Sequence, residues 1–383
     1  MLSSCEPLAS SQHLIATPPM RTLVISAGLF LVTPACSTDD ATVPTAPELG
    51  EGDRSPGSVT FTPIATMANG LNQPRDLDFN PLRPDELWVV SYTDDSMLII
   101  AGAPSDSRSY DKRIDGYALH FMEQVTAISF GADPTTFMKP GTFATCGESR
   151  NTYNGQAAPN DFTGPTLWSS DLTVFARQNP NGLGSHLDML HNTPLCMGIA
   201  HEADNKYWVF NGLAGSIDRY DFVTDDGIGN DNHGDGLTWR FGKGEVKRVE
   251  NVPSHVAWDP ATSTLYVADT GNARIAKLDG RSGTAGASIP GFETPVTEMT
   301  GTTLVTVVSG DVQRPAGIAL HNDLLFVTDN AASRILAFDL TGELVNFVET
   351  GLPPGSLGGL AFGPDDKVYF TDMKGNRVLR IDP

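Results

Sequence analysis

His255 is the third residue of the segment "PSHVAWDPATSTLYVADTGNARIAKLD" (253–279), and two later stretches worded alike carry glycine at the same slot, Gly317 and Gly359. An earlier stretch has Gly198 there, and the first has Asp76, beside Arg75. If these positions converge, Arg75, Asp76, Met197 and His255 make a set more polar than packing requires, suited to holding a ligand. The loop "GSHLDMLHNTP" (184–194) leads into the Met197 stretch and adds His186 and His191. Three imidazoles, His186, His191 and His255, would suit zinc or another divalent metal. The plainer reading has each histidine hydrogen-bonding a loop backbone, and no cofactor is demanded.

Other residues invite chemistry and yield less. In "DDGIGNDNHGDG" (225–236) oxygens could converge on calcium, with Asp231, His233, Asp235 and Gly236 partly matching the helix-loop-helix calcium motif. The twelfth position from Asp231 is Gly242 and not the chelating Glu, so a polar loop is the expectation. An Asp stands five residues before an Arg three times, as Asp269/Arg274, Asp329/Arg334 and Asp372/Arg377. Asp can accept turn N–H groups and Arg can reach back to it, and a catalytic role would not need three copies. No Gly-x-Ser-x-Gly elbow, phosphate loop or paired catalytic carboxylates occur.

The elements that position these residues form a repeat. "HVAW", "LYVAD" and "RIAKLD" return as "GIAL", "LFVTD" and "RILAFD", then as "GLAF", "VYFTD" and "RVLRID". Weaker copies begin at Pro74, Gln124 and Met197; the Gln124 copy carries an insertion at roughly 147–168, expected as a loop before a third strand "LTVFA". Fourth strands are expected at "EVKRVENV" from Glu245, "TLVTVVS" from Thr303 and "ELVNFVE" from Glu343. Six copies of four antiparallel strands predict an all-β, six-bladed β-propeller. The last copy lacks an outer strand, and Ser58–Thr66 is expected to fill it, closing the ring. Trp88, Trp208, Phe210, Tyr266 and Phe326 should pack between blades. The inner strands should line a central channel, with their N-terminal ends, and so the Arg75/Asp76/Met197/His255 set, at the ligand-binding mouth.

The wording P-x-G-I-A, L-Y-V-x-D, N-x-R-I resembles NHL repeats across about residues 72–383, and the resemblance implies a six-bladed propeller without specifying function. The peptidyl-hydroxyglycine amidating lyases are similar in fold and hold zinc with histidines directly after the proline of three inner strands. The matching residues here are Arg75, Ser254 and Ala316, so that activity is not implied. The Glu/Asn/Asp metal set of gluconolactonase-like propellers is not matched either.

Among 383 residues, 40% are hydrophobic and 19% charged, enough for a substantial core. Net charge −21 without a basic stripe excludes nucleic acid as a partner. Met20-Arg21, the apolar run "TLVISAGLFLV" and "TPACSTDD" resemble a bacterial lipoprotein signal, with Cys36 as the lipidated residue. Residues 1–35 are therefore read as a signal, with 1–19 an overrun upstream of a start at Met20, residues 36–57 as a lipid-anchored flexible tether, and 58–383 as the propeller. Cleavage after Ala35, giving a secreted chain, is the alternative. Export would permit a disulfide between Cys146 and Cys196. Two functions remain open: a membrane-anchored module binding a protein, peptide or glycan on the channel face, or a metal-dependent hydrolase or lyase at the channel mouth.

Overall fold

The computed structural model describes residues 45–131, 141–151 and 160–383, and nearly all of their regular structure is strand. The signal, with Cys36, lies outside the described residues. The first strand, β1 (Thr60–Thr66), joins the last sheet. Blade one is β2 (Pro74–Phe79), β3 (Leu87–Ser91), β4 (Ser96–Ala101) and β5 (Ser109–Arg113). Blade two is β6 (Val125–Phe130), β7 (Thr142–Gly147), β8 (Thr166–Ser169) and β9 (His186–Met189). Blade three is β10 (Cys196–Ala203), β11 (Lys206–Asn211), β12 (Ser216–Asp221) and β13 (Leu237–Phe241).

In blade four, β14 (Val256–Asp259), β15 (Thr264–Asp269) and β16 (Arg274–Asp279) are followed by a hairpin, β17 (Thr284–Ile289) and β18 (Val296–Thr300), before β19 (Val305–Ser309) completes the sheet. Blade five is β20 (Pro315–His321), β21 (Leu324–Asp329), β22 (Arg334–Asp339) and β23 (Leu344–Glu349). Blade six is β24 (Leu357–Phe362), β25 (Val368–Asp372), β26 (Arg377–Asp382) and, as its outer strand, β1. β1 and β26 run antiparallel in register from Thr60↔Asp382 to Thr66↔Arg377. The six-bladed propeller and its strand-latched closure are thus observed as expected.

One blade cannot bury both faces of its sheet, and six buried clusters show how stacking does so. Trp88 lies with Phe130 and Phe143 between blades one and two, and Trp208 and Phe210 with Val256 and Val267 between three and four. Tyr266 meets Leu325 between four and five, Phe326 meets Phe370 between five and six, and Leu77 meets Tyr369 between six and one. The third strands start from a recurrent left-handed residue, Asp95 (φ 50°), Ala273 (φ 51°), Ser333 (φ 57°) and Asn376 (φ 51°), which turns the chain tightly.

Three expectations differ from what is observed. The outer strand of blade three is Leu237–Phe241; the predicted "EVKRVENV" is loop, with only a Val249↔Val252 bridge. β13 takes the place beside β12 where that segment was expected, and β18 pairs parallel with β13 on its outer side. The third strand of blade two is Thr166–Ser169, and "LTVFA" is turn. Finally, residues 45–57, expected as the second half of the tether, are docked: Ala46 and Leu49 are buried with Val348, Leu379 and Ile381, and Asn346 donates to the carbonyls of Ala46 (3.1 Å) and Gly50 (2.9 Å).

The repeated Asp/Arg pairs form in two of three cases. Arg274 Nε lies 2.7 Å from Asp269 Oδ2 and Arg377 Nε 2.8 Å from Asp372 Oδ2. Arg334 turns instead to the Asp311 carbonyl (2.7 Å), while Asp329 accepts the Gln313 and Ala331 N–H groups. Blade three substitutes a buried pair, with Arg240 gripping both oxygens of Asp218 at 2.9 and 2.7 Å.

Candidate functional site

The inner strands crowd at the axis. A Cβ on Gly198 would lie 2.3 Å from the Ser254 carbonyl, one on Gly317 2.6 Å from that of Gly358, and one on Gly359 2.2 Å from Asp76 Oδ1. Glycine at these slots lets the backbones approach; blade two places the methyl of Ala127 there, and only blades one and four place polar side chains. His255 reaches across the ring so that Nδ1 is 3.4 Å from Asp76 Oδ1 and Nε2 3.1 Å from the Thr126 carbonyl. One layer outward, Arg75 spans the same diameter, donating to the Asn251 carbonyl and to Met373 Sδ (3.2 Å), with its guanidinium 4.1 Å over the Tyr92 ring.

Arg75 and His255 therefore close the channel, leaving on the expected face a cavity of about 370 Å³ that Arg75 lines with Asn251 and Met373. Beyond the closure is a cavity of about 510 Å³ whose blind end is Asp76 and His255 and whose walls continue through Asp78, Glu202, Trp258 and Phe362 at the C-terminal ends of the inner strands. The cavity is reached from the face opposite the one expected. Asp78 Oδ2 accepts the Phe130 N–H and Asp76 Oδ2 that of Ile128, both at 3.0 Å, and Arg219 holds Glu202 through two 2.6 Å contacts. Burial pushes the Asp76 carboxyl up to about 7 and the His255 imidazole down to about 4, so both charges are disfavoured where they meet. Burial and the neighbouring Asp76 also push half-buried Asp78 upward.

The other expected site residues lie elsewhere. Met197 is fully buried among Trp208, Phe210 and Val256, a core residue and not part of a mouth. His186 is on β9, the outermost strand of blade two, with Nδ1 2.8 Å from the Leu183 carbonyl and its ring stacked on Phe121 at 3.7 Å. His191 follows β9, so neither imidazole joins His255, and the expected three-histidine site does not assemble. The four-residue alternation of "HLDM" is too short to separate an edge strand from a loop in the sequence.

A second polar cluster instead gathers around β9. His191 Nδ1 is 2.6 Å from Glu293 Oε1 and its Nε2 3.1 Å from His120 Nε2, with Phe162 stacked on its ring at 3.6 Å. His191 also borders a cavity of about 440 Å³ lined by Arg240 and Phe292. Beyond it, His233 Nδ1 is 3.0 Å from Asp188 Oδ1 and 2.8 Å from Asp226 Oδ2, and these ligand atoms all lie within 4.8 Å of one another. Sequence reading singled out the 225–236 loop, which holds Asp226 and His233, but missed Asp188, His120 and Glu293, which join it only through blade packing. The structure links Cys146 of β7 to Cys196 of β10 by a disulfide, with Cα atoms 5.6 Å apart.

Compared with known proteins, no family model and no curated protein matches the chain. Solved structures do. An auxiliary nutrient binding protein from Bacteroides ovatus is 13% identical over 85% of this chain and 76% of that one, with a TM-score of 0.50. A gluconolactonase from Xanthomonas campestris is 13% identical over 85% and 90%, with a TM-score of 0.49. Virginiamycin B lyase from Staphylococcus aureus is 12% identical over 84% and 85%, with a TM-score of 0.47. At such identity the likeness extends to the propeller fold alone.

Proposed function

We propose that this chain is an exported, lipid-anchored binding protein whose propeller takes a peptide or glycan segment into the central cavity. The observation that carries the reading is the cavity's composition: Asp76 at the blind end, Asp78 on the wall, and a mouth with Trp258, Phe130 and Phe362. Carboxylates accept from ammonium or hydroxyl groups, and the aromatic faces stack against a sugar ring or apolar side chain. The Cys146–Cys196 disulfide supports an oxidising compartment, and the signal-like segment ending at Cys36 supports anchoring through a lipid. Calorimetry of the purified protein against short peptides and oligosaccharides tests the reading. Asp78→Ala and Trp258→Ala should each weaken the best ligand about tenfold or more, in keeping with truncation of buried contact residues. A ligand indifferent to both changes would remove the cavity from consideration.

The alternative reading, a hydrolase or lyase, is favoured by the Glu293–His191–His120 chain beside the second cavity. A carboxylate on Nδ1 orients an imidazole for proton transfer at Nε2. Turnover of esters, lactones or glycosides lost in His191→Ala and kept in Asp78→Ala would favour it over binding at the axis.

A further inference from the structure

We infer that Asp188, Asp226 and His233 form a binding site for a divalent transition metal ion, of the zinc or manganese class, that clips blade two to blade three. Asp188 lies on β9 and is fully buried, and its Oδ2 has no hydrogen-bond partner. Asp226 and His233 both come from the connection between β12 and β13, and each is also buried or nearly so. Two carboxylates meet a single imidazole here, and in the described residues neither carboxylate meets a Lys or Arg. A divalent ion on a neutral imidazole brings the site to zero charge and gives Asp188 Oδ2 a partner.

His233 Nδ1 stands 3.0 Å from Asp188 Oδ1 and 2.8 Å from Asp226 Oδ2, so in the metal-free fold a proton on this nitrogen bridges the two carboxylates, and a divalent ion would take that proton's place. The scaffold brings these groups together by itself, because Asp226 N–H donates to the Leu187 carbonyl (2.9 Å) and Gly229 N–H to that of His186 (2.8 Å). One nitrogen and two carboxylates favour a transition ion over calcium or magnesium, which prefer all-oxygen shells. The site is peripheral and independent of the central cavity.

The test uses the whole purified protein, stripped with chelator and titrated with zinc or manganese chloride, reading bound metal per chain and the thermal midpoint. One ion per chain and a raised midpoint are expected, with affinity falling by about tenfold or more in Asp226→Asn and His233→Gln. His120→Ala should keep both stoichiometry and affinity. Should Asp226→Asn or His233→Gln fail to fold, the wild-type titration and the other variant decide. A stripped wild type that takes up neither ion at micromolar concentration would overturn the inference, as would uptake abolished by His120→Ala but untouched by His233→Gln.

Discussion

At the scale of single residues, the axis is governed by burial working against charge. The Asp76 carboxyl, pushed up to about 7, binds its proton more tightly in the fold than in the unfolded chain. Its contribution to stability is complete below the unfolded value of 3.8 and is lost as pH rises through about 7. Asp76→Asn should therefore raise the thermal midpoint at pH 8 and change little at pH 5, which melting curves at the two pH values would check. Binding follows the opposite sign: a cationic ligand should bind more weakly as pH falls from 8 to 5, because the carboxyls that meet it take up protons. Blade three carries a stronger dependence on one group. Asp218 accepts from Arg240, Thr193, Asn211 and Ser216, all buried or nearly so. Asp218→Ala would leave the guanidinium without its carboxylate and cost about 3–5 kcal/mol, measurable by denaturant unfolding.

At the scale of elements, blades two and three are bound to one another by the disulfide, and three and four by the β17–β18 hairpin. Cys146→Ser frees a segment of sequence separation 50. It should lower stability by about 2–4 kcal/mol, a loss that reducing agent should reproduce in the wild type and not in the variant. This scale also shows what the sequence could disclose. The strands "LYVAD", "LFVTD" and "VYFTD" were legible because their alternation is bounded by turns and repeated, so each copy corroborates the others. "EVKRVENV" has enough valines to read as a strand and is loop, because a valine-rich stretch does not say which segment wins the place beside the third strand; here β13 takes it. The histidines were misplaced for the same reason. Gly198, Gly317 and Gly359 announced the crowded axis, and His255 and Asp76 were rightly put there, but no local pattern told that Arg75 would reach across and close one end. The Asp188/Asp226/His233 cluster joins residues 188 and 226–233 through blade packing, which no single stretch of sequence displays.

At the scale of the whole molecule, the ring holds together because β1 pairs with β26, and residues 45–57 reinforce the seam by packing Ala46 and Leu49 over blades five and six. Removing residues 45–66 should leave β26 as an open edge and expose Phe370, so the shortened protein is expected to form aggregates on size-exclusion chromatography while keeping much of its strand signal by circular dichroism. A monomeric, cooperatively melting product would mean that the other five blade interfaces suffice. The seam also sets an order of events in the making of the protein. Thr62 and Asp382 bond across a separation of 320 residues, so a ribosome working at about 5–20 residues per second makes the two partners about 15–60 s apart. During that interval β1 is a finished strand with no neighbour, able to pair with any free edge it meets, including that of another nascent copy. Whatever escorts the young chain must keep this one ribbon unpaired until the opposite end has been synthesised.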